Sequence, residues 1–278
     1  MNIRADDFVL EIGSGHNPKA RSDVLCDKFI GDDEQRGGAI VTDRPMVEAD
    51  GEFLPFADRA FDYVICSHVL EHVEDPRRFI SELMRVACRG YIETPSEIGE
   101  RIYGWHYHNW VVNLVDGCLM LRKNVKNSQF GQLFHRLAVT DKHWKQFHIT
   151  HHNLFLVQYE WEDKIDYKIL LEHESALDLE CHDTLDRLVA SDGNAPRHNE
   201  WLLHLKSAVP RGIVSHVKSL LAKGNQRRQT KTLQEILVCP QCKGEVTWEE
   251  HSLHCKMCEQ SYRIVDGIPR FGKVTNRK

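Results

Sequence analysis

Two groups of residues in this chain of 278 have types and spacings that can do chemistry. Cys239-Pro-Gln-Cys242 and Cys255-Lys-Met-Cys258 are paired Cys-x2-Cys knuckles with twelve residues between them. Two such turns set four thiolates at the corners of a tetrahedron, the arrangement Zn²⁺ takes in closed structural sites. Two disulfides are the competing use of the same sulfurs. His254 adjoins Cys255 and offers a substitute ligand, although four cysteines already complete the shell. A metal with no open coordination position folds its module rather than catalysing.

The second group begins near the N-terminus, in Phe8-Val-Leu-Glu-Ile-Gly-Ser-Gly-His-Asn-Pro18. Gly13 and Gly15 let the backbone approach a ligand where side chains would clash. Glu11 is placed to accept hydrogen bonds from a cationic or hydroxylated ligand. Asp27 ends a second apolar run, matching the pattern in which a carboxylate after the second strand holds ribose hydroxyls. Asp50 ends a third run, and His68 and His72 follow a fourth.

These residues need a scaffold of strands whose ends converge. Phe8–Ile12, Val24–Asp27, Val47–Asp50 and Phe61–Ser67 read as four short buried strands. Asp75 and Pro76 read as the cap and first residue of an amphipathic helix over 76–88, with Phe79, Ile80, Leu83, Met84 and Ala87 at helical spacing. Arg89–Thr94 reads as a fifth strand, ended by Pro95. The expected class is α/β.

The series Leu-Glu-Ile-Gly-Ser-Gly15, Asp27, Ala-Asp50 with Leu54-Pro-Phe56, Phe61-Asp62 and Leu70-Glu-His72 resembles the class I S-adenosylmethionine-dependent methyltransferases, closest to the small-molecule branch that includes quinone methyltransferases. The resemblance implies a Rossmann-like sheet of seven strands, closed by an antiparallel hairpin of Leu154–Trp161 and Ile165–Leu171. It implies that Glu11 helps hold the methionine end of S-adenosylmethionine, that Gly13 and Gly15 line its path, and that Asp27 binds the ribose. Asp50 with the Gly51 backbone would meet the adenine amine, and Ser67 would touch the cofactor from the fourth strand. Asn17-Pro18 replaces the third glycine of the family turn, so the helix after it is expected to be short or distorted.

His68 and His72 would lie where acceptor and methyl meet, and an imidazole near neutrality suits deprotonating a hydroxyl. His106 and His108 share that candidacy, the alternative being hydrogen-bonded histidines at a helix start. The two latter residues belong to an insertion, 96–153, rich in Trp and His, which reads as a lid and substrate wall or as a helical cap with solvated histidines. Its imidazoles raise a second metal site, but no His-x3-His pair is flanked by a convincing carboxylate.

Residues 231–272, with their Asp266-Gly-Ile-Pro269 tail, resemble the small zinc-ribbon activator that pairs with tRNA, rRNA and release-factor methyltransferases. In that family the ribbon docks on its enzyme; here it would be fused to its client. The expected division is a methyltransferase domain over 1–223, a linker over 224–230 and a zinc-ribbon domain over 231–278. Helices are expected over 181–190 and 201–222. Lys206 to Lys231 holds seven Lys or Arg and no acid, which reads as a docking helix and linker or as an RNA-facing patch.

A net charge of −5 implies no partner by itself. There is no run of 18 apolar residues for a membrane span and no secretory h-region, so a cytoplasmic protein with Cys26, Cys66, Cys88, Cys118 and Cys181 reduced is expected. The Asn/Asp-Pro-Pro-Tyr clamp of amine and amide methylation is replaced by Ser67-His-Val-Leu70, favouring O- or C-methylation of a small molecule such as a sugar or glycan precursor. The ribbon and basic linker point instead to RNA or a translation factor, and a non-catalytic cofactor-binding scaffold is the third reading.

Overall fold

Apolar runs buried on both faces are what a parallel sheet requires, and the first five runs form one. In the computed structural model, which describes residues 1–31, 38–125, 130–172, 174–177, 181–189 and 231–272, the strands are β1 (Val9–Ile12), β2 (Val24–Asp27), β3 (Met46–Glu48), β4 (Phe61–Ser67) and β5 (Ala87–Pro95). All four residues of β1 and of β2 are buried. The parallel order is β3-β2-β1-β4-β5, so the chain leaves β1 for one side of the sheet and returns to its other side at β4. That reversal opens a crevice beyond the carboxyl ends of β1 and β4.

Helix α1 (Pro76–Val86) packs Phe79, Ile80, Leu83 and Val86 onto the sheet. The Asp75 carboxylate accepts from the Arg77 and Arg78 N–H groups at its start. It ends two residues earlier than its periodicity suggests, because Ala87 is extended and already pairs with Phe61. The short helix expected after Gly15 does not form. Residues 13–23 are turns, since Pro18 lacks an N–H and the Glu11 carboxylate takes the Lys19 N–H at 2.8 Å and the Ser22 hydroxyl.

The closing hairpin is a correction. β8 (Leu156–Glu162) pairs antiparallel with β5, but β9 (Tyr167–Ile169) leaves the sheet and pairs parallel with β7 (Cys118–Lys123), which forms a hairpin with β6 (Trp110–Val115). The turn at Glu162–Lys164, with Asp163 at φ 59°, directs the chain away, and the buried Leu119 and Leu121 of β7 offer it an apolar edge. The other elements described in the insertion are helices: α2 (Glu97–Tyr103), α3 (Gly131–Thr140), α4 (Lys142–Thr150) and α5 (His152–Phe155). Beyond it, α6 (His182–Val189) matches the first expected late helix. The helix expected over 201–222, the 224–230 linker and the basic stretch up to Thr230 lie outside the described residues.

The C-terminal module comprises α7 (Leu233–Ile236), β10 (Val246–Trp248), β11 (Ser252–Cys255), β12 (Ser261–Val265) and β13 (Ile268–Arg270). Its strands form an antiparallel meander that continues the first sheet, because β13 pairs parallel with β3, giving ten strands in all. A second seam runs along Leu54-Pro-Phe56. The Ala57 N–H donates to the Ile236 carbonyl, the Val238 N–H to the Pro55 carbonyl, and Phe56 bridges Leu237. Leu54, Phe56, Ile236 and Leu237 are all buried there. Lys243 then reaches the Leu54 carbonyl at 3.0 Å and Glu82 of α1 at 2.8 Å.

Candidate functional site

A cavity of about 1200 Å³ lies over the carboxyl ends of β1, β2, β3 and β4, walled by the loops after them and roofed by α2, α3 and α4. It is larger than most small-ligand sites, with room for two molecules. Glu11, Gly13, Gly15, Asp27, Asp50, Gly51, Ser67, His68, His72 and His108 all line it. His106 does not; it is exposed, its ring against Tyr107.

The two glycines after β1 sit at φ +69° and +52°, a region that side chains rarely adopt. A Cβ on Gly13 would come within 2.3 Å of the Val69 side chain. The Gly15 N–H donates to Asp27 Oδ2 at 3.0 Å, and the Phe29 N–H to Oδ1 at 3.1 Å, so the β2 acid organises both loops. Glu11 is buried, and that burial lifts its carboxyl above the usual range despite help from Ser22 and Lys19. Through those two donors it holds the loop wall while lining the cavity.

Asp50 caps the short 3-10 helix Gly51–Phe53 and pairs with Lys28 at 2.6 Å. Gly51 is required by packing, since a Cβ there would meet the Phe79 ring at 2.5 Å. Ser67 donates to Glu93 Oε1 at 2.8 Å. Glu93 also accepts from Tyr91 and Gln158, and these donors, outweighing burial, hold its carboxyl below the usual range.

Past β4 the backbone turns sharply, with His68 at φ 57°. His68 Nδ1 stands 3.4 Å from Glu71 Oε1, and this contact lifts the imidazole above its ordinary 6.5. Burial pushes His72 the other way; its ring stacks on Tyr107 and meets His108 edge-on. Burial opposes the charge of Glu71, yet His68, His72 and His108 around it keep its carboxyl below the usual range. Thr94 donates to Glu71 Oε2 at 2.9 Å. His108 is buried with Nδ1 2.6 Å from Glu100 Oε2. Overhead, Tyr103, Trp105, His135, Trp144, His148 and Phe155 pack ring to ring along the cavity roof.

Sequence reasoning passed over Glu52, Glu71, Glu93 and Glu100. Glu71 sits inside the quoted Leu70-Glu-His72 stretch, and Glu52 adjoins Gly51, so proximity to a motif was an available signal. Glu93 and Glu100 carried none, because their partners lie on other elements.

In the C-terminal module the four cysteine sulfurs lie within 4.8 Å of one another. Cys239 and Cys258 stand at 3.6 Å and Cys242 and Cys255 at 3.4 Å, far beyond an S–S bond of about 2.0 Å and near the edge of a zinc–thiolate tetrahedron. Four convergent thiols without disulfides suit structural Zn²⁺. His254 is engaged by Ser252, Glu249 and Ser261 instead.

Residues 27–92 match the family described as "Methyltransferase domain", and residues 230–267 match "Trm112p-like protein". A UPF0434 protein of Psychromonas ingrahamii is 40% identical over 47 residues, 16% of this chain and 80% of that protein. The chain carries a methyltransferase domain and a Trm112p-like domain, the latter shared with the UPF0434 proteins. The demethylmenaquinone methyltransferase of Corynebacterium efficiens is 35% identical to this chain over 74 residues, 26% of the chain. The chain spans about a third of that relative's length. Among solved structures, YcgJ of Bacillus subtilis is 23% identical with a TM-score of 0.29, covering 34% of this chain and 47% of that one. A methyltransferase in complex with the Haloferax volcanii Trm112 activator is 18% identical with a TM-score of 0.27, over 34% and 47%. Among the described residues no helix is long and apolar enough to cross a membrane.

Proposed function

We propose that this methyltransferase transfers a methyl group from S-adenosylmethionine to an oxygen or carbon of a ring-bearing small molecule, such as a sugar or glycan precursor. The observation that carries the reading is the convergence of Glu11, Asp27, Asp50 and His68, at or just past the ends of four neighbouring strands, on one cavity beneath an aromatic roof. The cofactor, when bound, supplies an electrophilic methyl on a sulfonium, so the protein's task is alignment at about 3–3.5 Å and removal of a proton. Asp27, already fixed by Gly15 and Phe29, would hold the ribose, and Gly13 and Gly15 would admit the methionine end. Glu11 acts through the Lys19–Ser22 turn. Asp50 and the Gly51 backbone would read the adenine amine once Lys28 gives way. Ser67 keeps Glu93 in place, and His68 and His72 are the groups positioned to take a proton. The flat faces of Tyr103, Trp105 and Trp144 suit a ring.

We further propose that the domains are 1–223 and 231–278, joined by 224–230, with the ribbon a built-in activator. It braces Leu54-Pro-Phe56, the continuation of the loop that bears Asp50. That bracing, with the ribbon's family, favours a second reading in which the acceptor is tRNA, rRNA or a translation factor.

Calorimetry with the zinc-loaded protein tests the first claim: S-adenosylmethionine binds, and Asp27→Ala weakens it at least about tenfold, the loss of one charge-assisted hydrogen bond. No binding by the wild-type protein would overturn both transferase readings and leave a non-catalytic scaffold with a vestigial cofactor pocket. Transfer of labelled methyl from the cofactor into the RNA or protein fraction of a cell extract, and not the small-molecule fraction, would select the second.

A further inference from the structure

The cavity holds a second cluster of metal-ligating side chains, of which the methyl-transfer reading uses only His72. One ligand atom each from Glu71, His72 and His108 lies within 4.8 Å of the others. Two ligands of one ion, each at about 2.1 Å, stand at most about 4.2 Å apart, so small side-chain adjustments close the set. Glu71 comes from the turn after β4 and His108 from the segment before β6, and the Asn109 and Trp110 N–H groups both donate to the Glu71 carbonyl, tying the two together.

Two independent observations point to a cation. Glu71 is 1% exposed; Thr94 satisfies one of its oxygens, while the other, Oε1, is buried and meets only the long 3.4 Å contact from His68 Nδ1, with no well-formed hydrogen bond. A buried carboxylate oxygen held by one long contact leaves room for a closer positive partner. The second is the orientation of His108. Its Nδ1 faces Glu100 Oε2 at 2.6 Å, and both residues are about 4% exposed. A carboxylate on one ring nitrogen fixes the tautomer and directs the other nitrogen's lone pair outward, the arrangement of ligating histidines. A carboxylate behind Nδ1 also orients a general base, so it is the proximity of Glu71, His72 and His108 to one another that favours a cation here.

We propose that Glu71, His72 and His108 bind a divalent first-row cation of the Zn²⁺ or Mn²⁺ kind, separate from the ribbon zinc. Three protein ligands on a cavity wall leave positions open for a water or an acceptor oxygen, the pattern of a catalytic rather than a structural metal. The role of that ion rests on the methyl-transfer reading: it takes a hydroxyl of the acceptor as a ligand and makes it acidic. The O–H proton passes to water at the open side of the cavity. The oxygen then forms the O–CH3 bond as the S–CH3 bond breaks, its electron pair remaining on sulfur and neutralising the sulfonium. His72 is then a ligand rather than a base, and the acceptor class narrows to hydroxyl compounds.

Mn²⁺ electron paramagnetic resonance on the full chain, with the ribbon loaded with zinc, tests the site. The wild-type protein is expected to bind one Mn²⁺ per chain beyond its ribbon zinc. Glu71→Gln and His108→Gln should each weaken that binding by about tenfold or more, with zinc content and thermal melting unchanged. Glu100→Gln, which removes the carboxylate behind His108 without touching the ion, should also weaken it by roughly 10–100-fold. No stoichiometric Mn²⁺ in the wild-type protein, or wild-type affinity in Glu71→Gln and His108→Gln, overturns the proposal. S-adenosylmethionine titrated into the same samples reports the cofactor reading separately: Mn²⁺ binding without cofactor binding would uphold the metal site and sink methyl transfer.

Discussion

Gly13 shows how a single position joins backbone conformation to ligand access. Its φ of +69° and the 2.3 Å approach of a Cβ to Val69 mean that any side chain there costs both strain and a clash. Gly13→Ala should lower stability by about 1–3 kcal/mol, visible as a drop in melting temperature. It should also weaken S-adenosylmethionine binding more than Gly31→Ala, where a Cβ meets nothing within 4 Å. A Gly13→Ala protein with wild-type melting and cofactor affinity would contradict this account. The glycine was legible in the sequence because the Gly-x-Gly turn, common by itself in α/β loops, is followed at strand ends by Asp27 and Asp50. Val69 was not, because it comes from the loop after β4.

Among the elements, α1 binds together parts distant in sequence. Its Glu82 accepts from the Leu54 N–H at 2.7 Å, from Arg85 and from Lys243 of the ribbon. Burial alone would raise this carboxyl, but the Arg85 and Lys243 donors hold it below its ordinary 4.5. Burial also lowers the Lys243 ammonium, yet Glu82 has three donors, and its charged form is the better held. A carboxyl whose folded value is depressed contributes stability that is complete above its unfolded value, near 4.5, and lost as pH falls through the folded value. Urea denaturation should therefore show Glu82→Gln less stable than wild type by about 1–3 kcal/mol at neutral pH. The difference should shrink steadily below about pH 4.5; a difference independent of pH would remove the ion pairs from the explanation. The 76–88 periodicity revealed the helix and its buried face, but nothing in it marked Glu82 as a bridge. The β6–β7 hairpin was similarly missed, although Asp116-Gly117, both at positive φ, is a strong hairpin turn pair between apolar runs.

At the scale of the whole molecule, the ribbon and the methyltransferase sheet are one ten-stranded sheet joined at β3 and β13. The Arg270–Glu48 pair at 3.2 Å and the Phe271 N–H to the Glu48 carbonyl at 2.8 Å fasten that edge. Since zinc-thiolate modules of this size fold only with their metal, stripping zinc with a chelator should release both seams. The Val238 and Ala57 amides should then lose hydrogen-exchange protection, and S-adenosylmethionine affinity should fall about tenfold or more, through the loop carrying Asp50. Unchanged affinity after complete zinc removal would show that the ribbon does not support the cofactor loop.

By itself the sequence determined the local features: strands from short apolar runs, the α1 cap from Asp75-Pro76, and the metal module from four cysteines at fixed spacing. These depend on interactions a few residues long, so spacing records them. Tertiary structure alone decided that β9 would join β7, that His106 would face solvent while His108 met Glu100, and that Glu71, His72 and His108 would share a cavity. Each depends on contacts between segments whose separation along the chain carries no fixed relation to their distance in space. It is burial, acting across the sheet's edge and the cavity's walls, that chooses among them.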